Sequence, residues 1–314
     1  MNKKLMTIFV SLVLIFTFFM PKSILANSNE TMINPETDKI QLEELSENHE
    51  ESNEANNEKN DEVSTYNDAS KKTAWLELVE KIASSQADAS INIDKNIEAD
   101  PAKDKQTILI KNGQNIVLKG NGSLKGFGFN SIKIEKGGSL TIDGTSISNA
   151  QIIVEGKLNI KSGKISDTKL EGPNILVKGG DFTMSGGEFS GNEAVDSQNP
   201  QPDNLRKTGK WYSYAPITLY GGGLNISGGK ISNNKGFYNG GAIGAWGTDT
   251  SKINVKISGG EITENVASHN STNAWGGAIF MENAEFEMTA GTISKNTAEY
   301  GGGLLLSRSN AKIS

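Results

Sequence analysis

The chain has 314 residues, 35 of them glycine, an apolar share of 35%, no cysteine and a formal net charge of −6. The usual ~45–50% for globular chains counts glycine in; here much of that share is glycine rather than larger apolar side chains, which suits narrow coils around a thin core. Its two arginines, Arg206 and Arg308, cannot build the clustered positive surface that nucleic acids require, and without cysteine no disulfide can hold the fold.

Lys3 and Lys4 precede an uncharged apolar run from Leu5 to Met20, followed by Pro21 and Ile24-Leu-Ala26. This order predicts a secretory signal peptide over 1–26, cleaved near Ala26, and hence a secreted or cell-surface destination. An uncleaved anchor is the alternative, the run being near the short limit for a span. Residues 27–72 are rich in Asn, Glu, Ser and Asp, with Glu43, Glu44, Glu47, Glu50, Glu51, Glu54 and Glu58 crowded together. Such a stretch cannot bury enough apolar surface to offset its ordering entropy, so a disordered acidic spacer is expected. The folded domain is expected over 73–314. Trp75, Leu76, Val79, Ile82 and Ala83 fall at helical spacing and predict a short helix that caps the first coil. Ile91, Ile93 and Ile97 then alternate as in a strand. From Thr107 onward come short β-rich runs, among them Ile108-Leu-Ile110, Ile116-Val-Leu118, Ile132-Lys-Ile134 and Ile152-Ile-Val154, separated by Gly and Asn.

The second half repeats. Leu224-Asn-Ile226-Ser-Gly-Gly-Lys-Ile231 returns as Val255-Lys-Ile257-Ser-Gly-Gly-Glu-Ile262 and again as Phe286-Glu-Met288-Thr-Ala-Gly-Thr-Ile293, with starts 31 residues apart. Looser copies begin at Leu140, Leu158 and Phe182. A fixed period of this size marks a solenoid. Three aligned columns are wholly apolar: the starts, the positions two residues on, and those seven residues on. Two strand segments facing one core, joined by a bend at the Gly-Gly pair, account for that spacing. Lys164, Glu188, Lys230, Glu261 and Thr292 then form an outward ladder that sets register, and Asn192, Asn234, Asn265 and Asn296 form a turn column whose amides can bond from rung to rung and tolerate left-handed geometry.

Gly240-Gly-Ala-Ile243 and Gly276-Gly-Ala-Ile279, with Phe189-Ser-Gly-Asn192 and Ile262-Thr-Glu-Asn265, resemble the repeats of chlamydial polymorphic outer-membrane proteins. More broadly, residues 73–314 resemble right-handed parallel β-helices of the pectin-lyase-like type in bacterial surface proteins. The resemblance implies an all-β, right-handed parallel β-helix with adhesin, lyase or hydrolase activity all open. The Lys-led leader and polar spacer turn the expectation toward a Gram-positive exported protein.

The candidate ligand-binding residues are aromatic. Tyr220, Trp275 and Tyr300 each precede a Gly-Gly unit, Tyr238 lies one residue further back and Trp246 follows another unit. Stacked coils would align them on one side, either as a surface for sugar rings or a protein partner, or as the core of packed loops. Trp211 and Tyr214 lie in an insertion, Ala194–Pro216, that lengthens the coil between Phe182 and Leu224 and is either a binding loop or a tolerated excursion. The expected partner is a carbohydrate or a host or cell-surface protein. Enzymatic activity, as a polysaccharide lyase or hydrolase, is the alternative, and a structural stalk the next. Asp181, Glu188, Asp196 and Asp203 are near in sequence but match no catalytic spacing, and His49 and His269 form no ligand set, so no cofactor or metal is expected. Ala311-Lys-Ile-Ser314 reads as the start of another apolar strand, as in a fragment of a longer surface protein.

Overall fold

In a computed structural model of the chain, residues 72–195, 214–268 and 274–314 are described. The expected signal peptide and nearly all of the spacer lie outside them, as do Trp211 and His269.

The described residues form one helix and twenty-three strands, and every strand pair runs parallel. The chain winds through faces that recur in fixed order. In the coil that begins at Gly223–Ile226, the chain bends at Gly228-Gly229, continues as Lys230–Ser232, turns into Lys235–Phe237, and crosses through Gly240-Gly241 to Ile243–Trp246. The next coil repeats this as Ile253–Thr263, Val266–Ser268 and Ile279–Glu282. Each strand therefore pairs with its counterpart one coil away, as a solenoid requires.

The apolar columns are in register. Leu140 pairs with Leu158, Leu158 with Phe182, Phe182 with Leu224, Leu224 with Val255 and Val255 with Phe286, each across one rung. The column extends upward to Ile116 and Ala89 and downward to Ala311. A further column, beyond the three aligned ones, lines the last face: Ile108, Ile132, Ile152, Ile175, Ile217, Ile243, Ile279 and Leu304. The isoleucines of that column are sealed from solvent. Each such side chain contributes ~1.5–3 kcal/mol relative to exposure, while an exposed cross-strand ion pair contributes ~0.2–1 kcal/mol. The dry columns thus supply the stability. The ladder of Lys164, Glu188, Lys230 and Glu261 occupies matching rungs, and its Lys164–Glu188 pair closes to 3.6 Å.

Coil length varies without disturbing this register. Leu140 and Leu158 are adjacent rungs only 18 residues apart, whereas Phe182 and Leu224 are adjacent rungs 42 residues apart.

The helix Ala74–Ala83 begins at Thr73, whose hydroxyl accepts from the Leu76 amide at 3.1 Å. It turns Trp75, Leu78 and Ile82 into the core at the start of the stack, and Leu76 stays half-exposed. The Trp75 indole N–H donates to the Gln106 carbonyl at 2.9 Å, and its ring meets Phe127 edge-on at 5.7 Å. Gln114 donates to the carbonyls of Ile82 and Ser85 and ties down the helix end. The helix therefore covers the first coil.

Two local expectations are corrected. Ile91, Ile93 and Ile97 do not share a strand: Asp88–Asn92 and Ile97–Glu98 are separate strands, because the bend of the first face falls between them. In the Asn column, the left-handed residue is the one before each Asn: Gly191, Asn233, Glu264 and Lys295 have φ of 66°, 55°, 58° and 56°. This turn aims each following Asn side chain inward. Asn234 Nδ2 donates to Phe189 O at 3.0 Å and to Asn265 Oδ1 at 2.9 Å, and Asn234 Oδ1 accepts from the Asn192 amide at 3.0 Å. Asn265 and Asn296 repeat the pattern.

Candidate functional site, an aromatic strip on the last face

On the last face, residues 217, 243 and 279 point into the core, as do 219, 245 and 281, so the residues between them point outward. The outward column reads Thr218, Gly244, Phe280 and Leu305. Gly244 leaves a vacancy there, and the Trp246 indole folds back into it: a Cβ added to Gly244 would lie 2.2 Å from the ring. Ala215, at the end of the insertion, borders the same spot, and its carbonyl accepts from Thr218 Oγ1 at 2.8 Å.

Around this position four rings form a continuous strip. Tyr220 and Trp246 lie 5.7 Å apart at 34°, Trp246 and Phe280 5.7 Å apart at 39°, and Phe280 and Trp275 6.3 Å apart at 26°. Trp246 and Phe280 are buried, whereas Trp275 is 38% exposed. Tyr214 is buried; its backbone pairs antiparallel with Phe237, and its nearness to Tyr220 adds to the effect of burial in raising the Tyr220 hydroxyl above its ordinary pKa of 10.0. At neutral pH the Tyr220 hydroxyl is thus a neutral donor.

The predicted single row of aromatics is corrected by this geometry. Tyr220 and Trp275 both precede Gly-Gly, but at different corners. Tyr220 follows Ile217–Leu219 and stacks on Trp246 where the last face ends. Trp275 and Tyr300 stand where that face begins, in a column whose third member is Asn239. Tyr238 packs edge-on against Phe237 at 5.4 Å and holds φ of 71°, a left-handed conformation unusual for a bulky residue. Phe280, which bridges the two corners, was not among the predicted residues. Its signal was the unbroken apolar triplet Ile279-Phe-Met281, in which inward neighbours force the middle ring outward.

Beside Trp275, Asn239 is 8% exposed and its side-chain oxygen is buried without a hydrogen-bond donor. An orphaned acceptor of this kind costs ~1–3 kcal/mol.

A second feature is a shallow cleft of about 650 Å³ on the first face, lined by Asp181, Gly222, Gly223, Asn225, Lys252, Asn254 and Lys256. Gly223 occupies a rung between Asp181 and Asn254, where any side chain would fill the gap. Lys252 and Lys256 are shared with Glu285 at 2.5 Å and Glu287 at 3.5 Å. Glu188 stands apart from Asp181, beyond the bend and paired with Lys164. Among the described residues no three His, Asp or Glu side chains converge, and no helix is long and apolar enough to cross a membrane. No protein-family profile, curated protein or solved structure matches the chain.

Proposed function

We propose that the chain is an exported, surface-associated, adhesin-like module, a right-handed parallel β-helix whose outer face binds a glycan or a protein partner. Right-handed winding is the sense adopted by ~98% of parallel β-crossover connections. The observation that carries the reading is the aromatic strip: strands normally turn polar residues to solvent, and here one outer face carries linked rings that reach the surface at Trp275. Rings placed so suit recognition of an apolar surface edged with polar groups. Full-length protein on a combined glycan and matrix-protein array should bind at least one ligand, and joint Trp246→Ala and Trp275→Ala substitution should weaken that binding roughly ten-fold or more. Silence across the array would reject binding and leave the stalk.

The cleft beside Asp181 favours a second reading, cleavage of a polysaccharide, since Asp181 and two lysines, each paired with a glutamate, border one polar floor. Release of shortened products from polygalacturonate, with and without added Ca²⁺, tests it; intact polymer after prolonged incubation rejects it.

A further inference from the structure

We propose that Asn239, Trp275 and Tyr300 form a subsite for one neutral pyranose ring, with Trp275 as the stacking platform. The proposal rests on the binding reading above and names its ligand class. The three residues occupy one corner on successive coils, Asn239 bridging to Trp275 and Trp275 to Tyr300. The corner is rigid: the amide of Gly240 donates to Trp275 O and that of Gly276 to Tyr300 O, both at 2.9 Å. Each is followed by a glycine held at positive φ (80°, 69° and 64°), so the next position along the chain adds no side chain beside them. Exposure rises along the column from 8% to 38% to 49%. Phe280, itself buried, backs one face of the Trp275 indole at 26°, and the ring is 38% exposed on the side away from it.

A pyranose presents an apolar C–H face and a rim of hydroxyls. The indole face meets the first. The second supplies what the protein lacks, a donor for the buried Asn239 oxygen. That oxygen is sealed in the free protein, so a sugar hydroxyl reaches it only when side chains at this corner shift, and tryptophan emission reports the movement. None of the three side chains carries formal charge, which selects a neutral sugar over a uronate. The strain at Tyr238 adjoins this corner and places Asn239 in it.

Full-length protein titrated with cellotetraose, chitotetraose and mannotetraose, with polygalacturonate as the charged control, tests the subsite by calorimetry and tryptophan fluorescence. At least one neutral tetrasaccharide should bind and shift the emission. Trp275→Ala should weaken it roughly ten-fold or more and Trp275→Phe only about three-fold. Asn239→Leu fills the same space without the orphaned acceptor, so it should keep or raise the melting temperature yet weaken the sugar roughly ten-fold. Sugar binding untouched by Trp275→Ala or by Asn239→Leu overturns the subsite, as does binding of polygalacturonate alone. Capture of a matrix protein without any sugar overturns it while the binding module stands; silence toward every glycan and protein removes both.

Discussion

At the scale of single residues, buried amides and shared charges determine which substitutions matter. Asn234 serves three neighbours at once: it satisfies Phe189 O and Asn265 Oδ1 and receives the Asn192 amide. Asn234→Ala strands several of these groups in the core, and at ~1–3 kcal/mol for each unsatisfied group the loss should be roughly 2–4 kcal/mol. Asn296, half-exposed on a later rung, should cost clearly less as Ala, and comparing the two urea midpoints checks the ladder. Glu193 behaves differently. Burial alone would raise its pKa above 4.5, but Lys169 at 3.1 Å and Lys235 at 3.3 Å outweigh burial and lower it. A lowered folded pKa means that its contribution is complete above the ordinary carboxylate value and is lost as pH falls through the folded one. Glu193→Gln should therefore reduce stability by ~0.5–1 kcal/mol at neutral pH. The gap to the parent protein should close as pH falls through the lowered folded pKa, and a gap that persisted once Glu193 was fully protonated would exclude the ion pairs as its cause. The position of the ladder asparagines was legible because they recur beside an apolar column. The left-handed residue before each was not, since Asn233, Glu264 and Lys295 share no chemistry that requires it.

At the scale of elements, the helix and the outer aromatic strip seal apolar surface that a bare stack would expose. Trp75 fills the end of the core and bonds to Gln106, so Trp75→Ala should cost about 3–5 kcal/mol. In a solenoid each coil contacts only its neighbours, so the loss should be local. Amide exchange should accelerate around Ile91, Ile108 and Ile116 while Leu224, Ile243 and Val255 stay protected; acceleration throughout would show that the coils melt as one body. On the last face, Gly244→Ala places a methyl where the Trp246 ring lies. The indole has to leave, exposing Phe280, and a red shift of tryptophan emission should accompany a lower melting temperature. The helix was legible from its spacing, though Leu78 rather than Leu76 completes the buried face, because the helix docks by one narrow stripe. Gly244 was not legible as a socket, since its partner ring comes from two residues along the same strand and nothing local marks the reversal.

At the scale of the whole molecule, the fold was legible because a solenoid writes one cross-section repeatedly, and columns such as Leu224, Val255 and Phe286 must stay apolar to share one interior. Corners escape that rule. Tyr220-Gly-Gly and Trp275-Gly-Gly look alike in sequence yet turn different corners, because coils of 18 to 42 residues occupy equal rungs and only strand pairing assigns the turn. The same one-dimensional build makes stability uneven along the axis. Ile217, Ile243 and Ile253 are sealed, whereas Leu304 and Leu306 are half-buried and Ile313 is 65% exposed. Opening free energies in such arrays follow the number of packed neighbours. In a polypeptide ending at Ser314, amides of Leu304–Ser307 and Asn310–Ile313 should therefore exchange at least about ten-fold faster than those of Ile217–Leu219 and Ile243–Trp246. Urea should release this end before the central coils, visible as a broad transition by circular dichroism. Uniform protection along the axis, with a single sharp transition, would mean that the coils unfold as one unit and would contradict nearest-neighbour stacking as the source of stability.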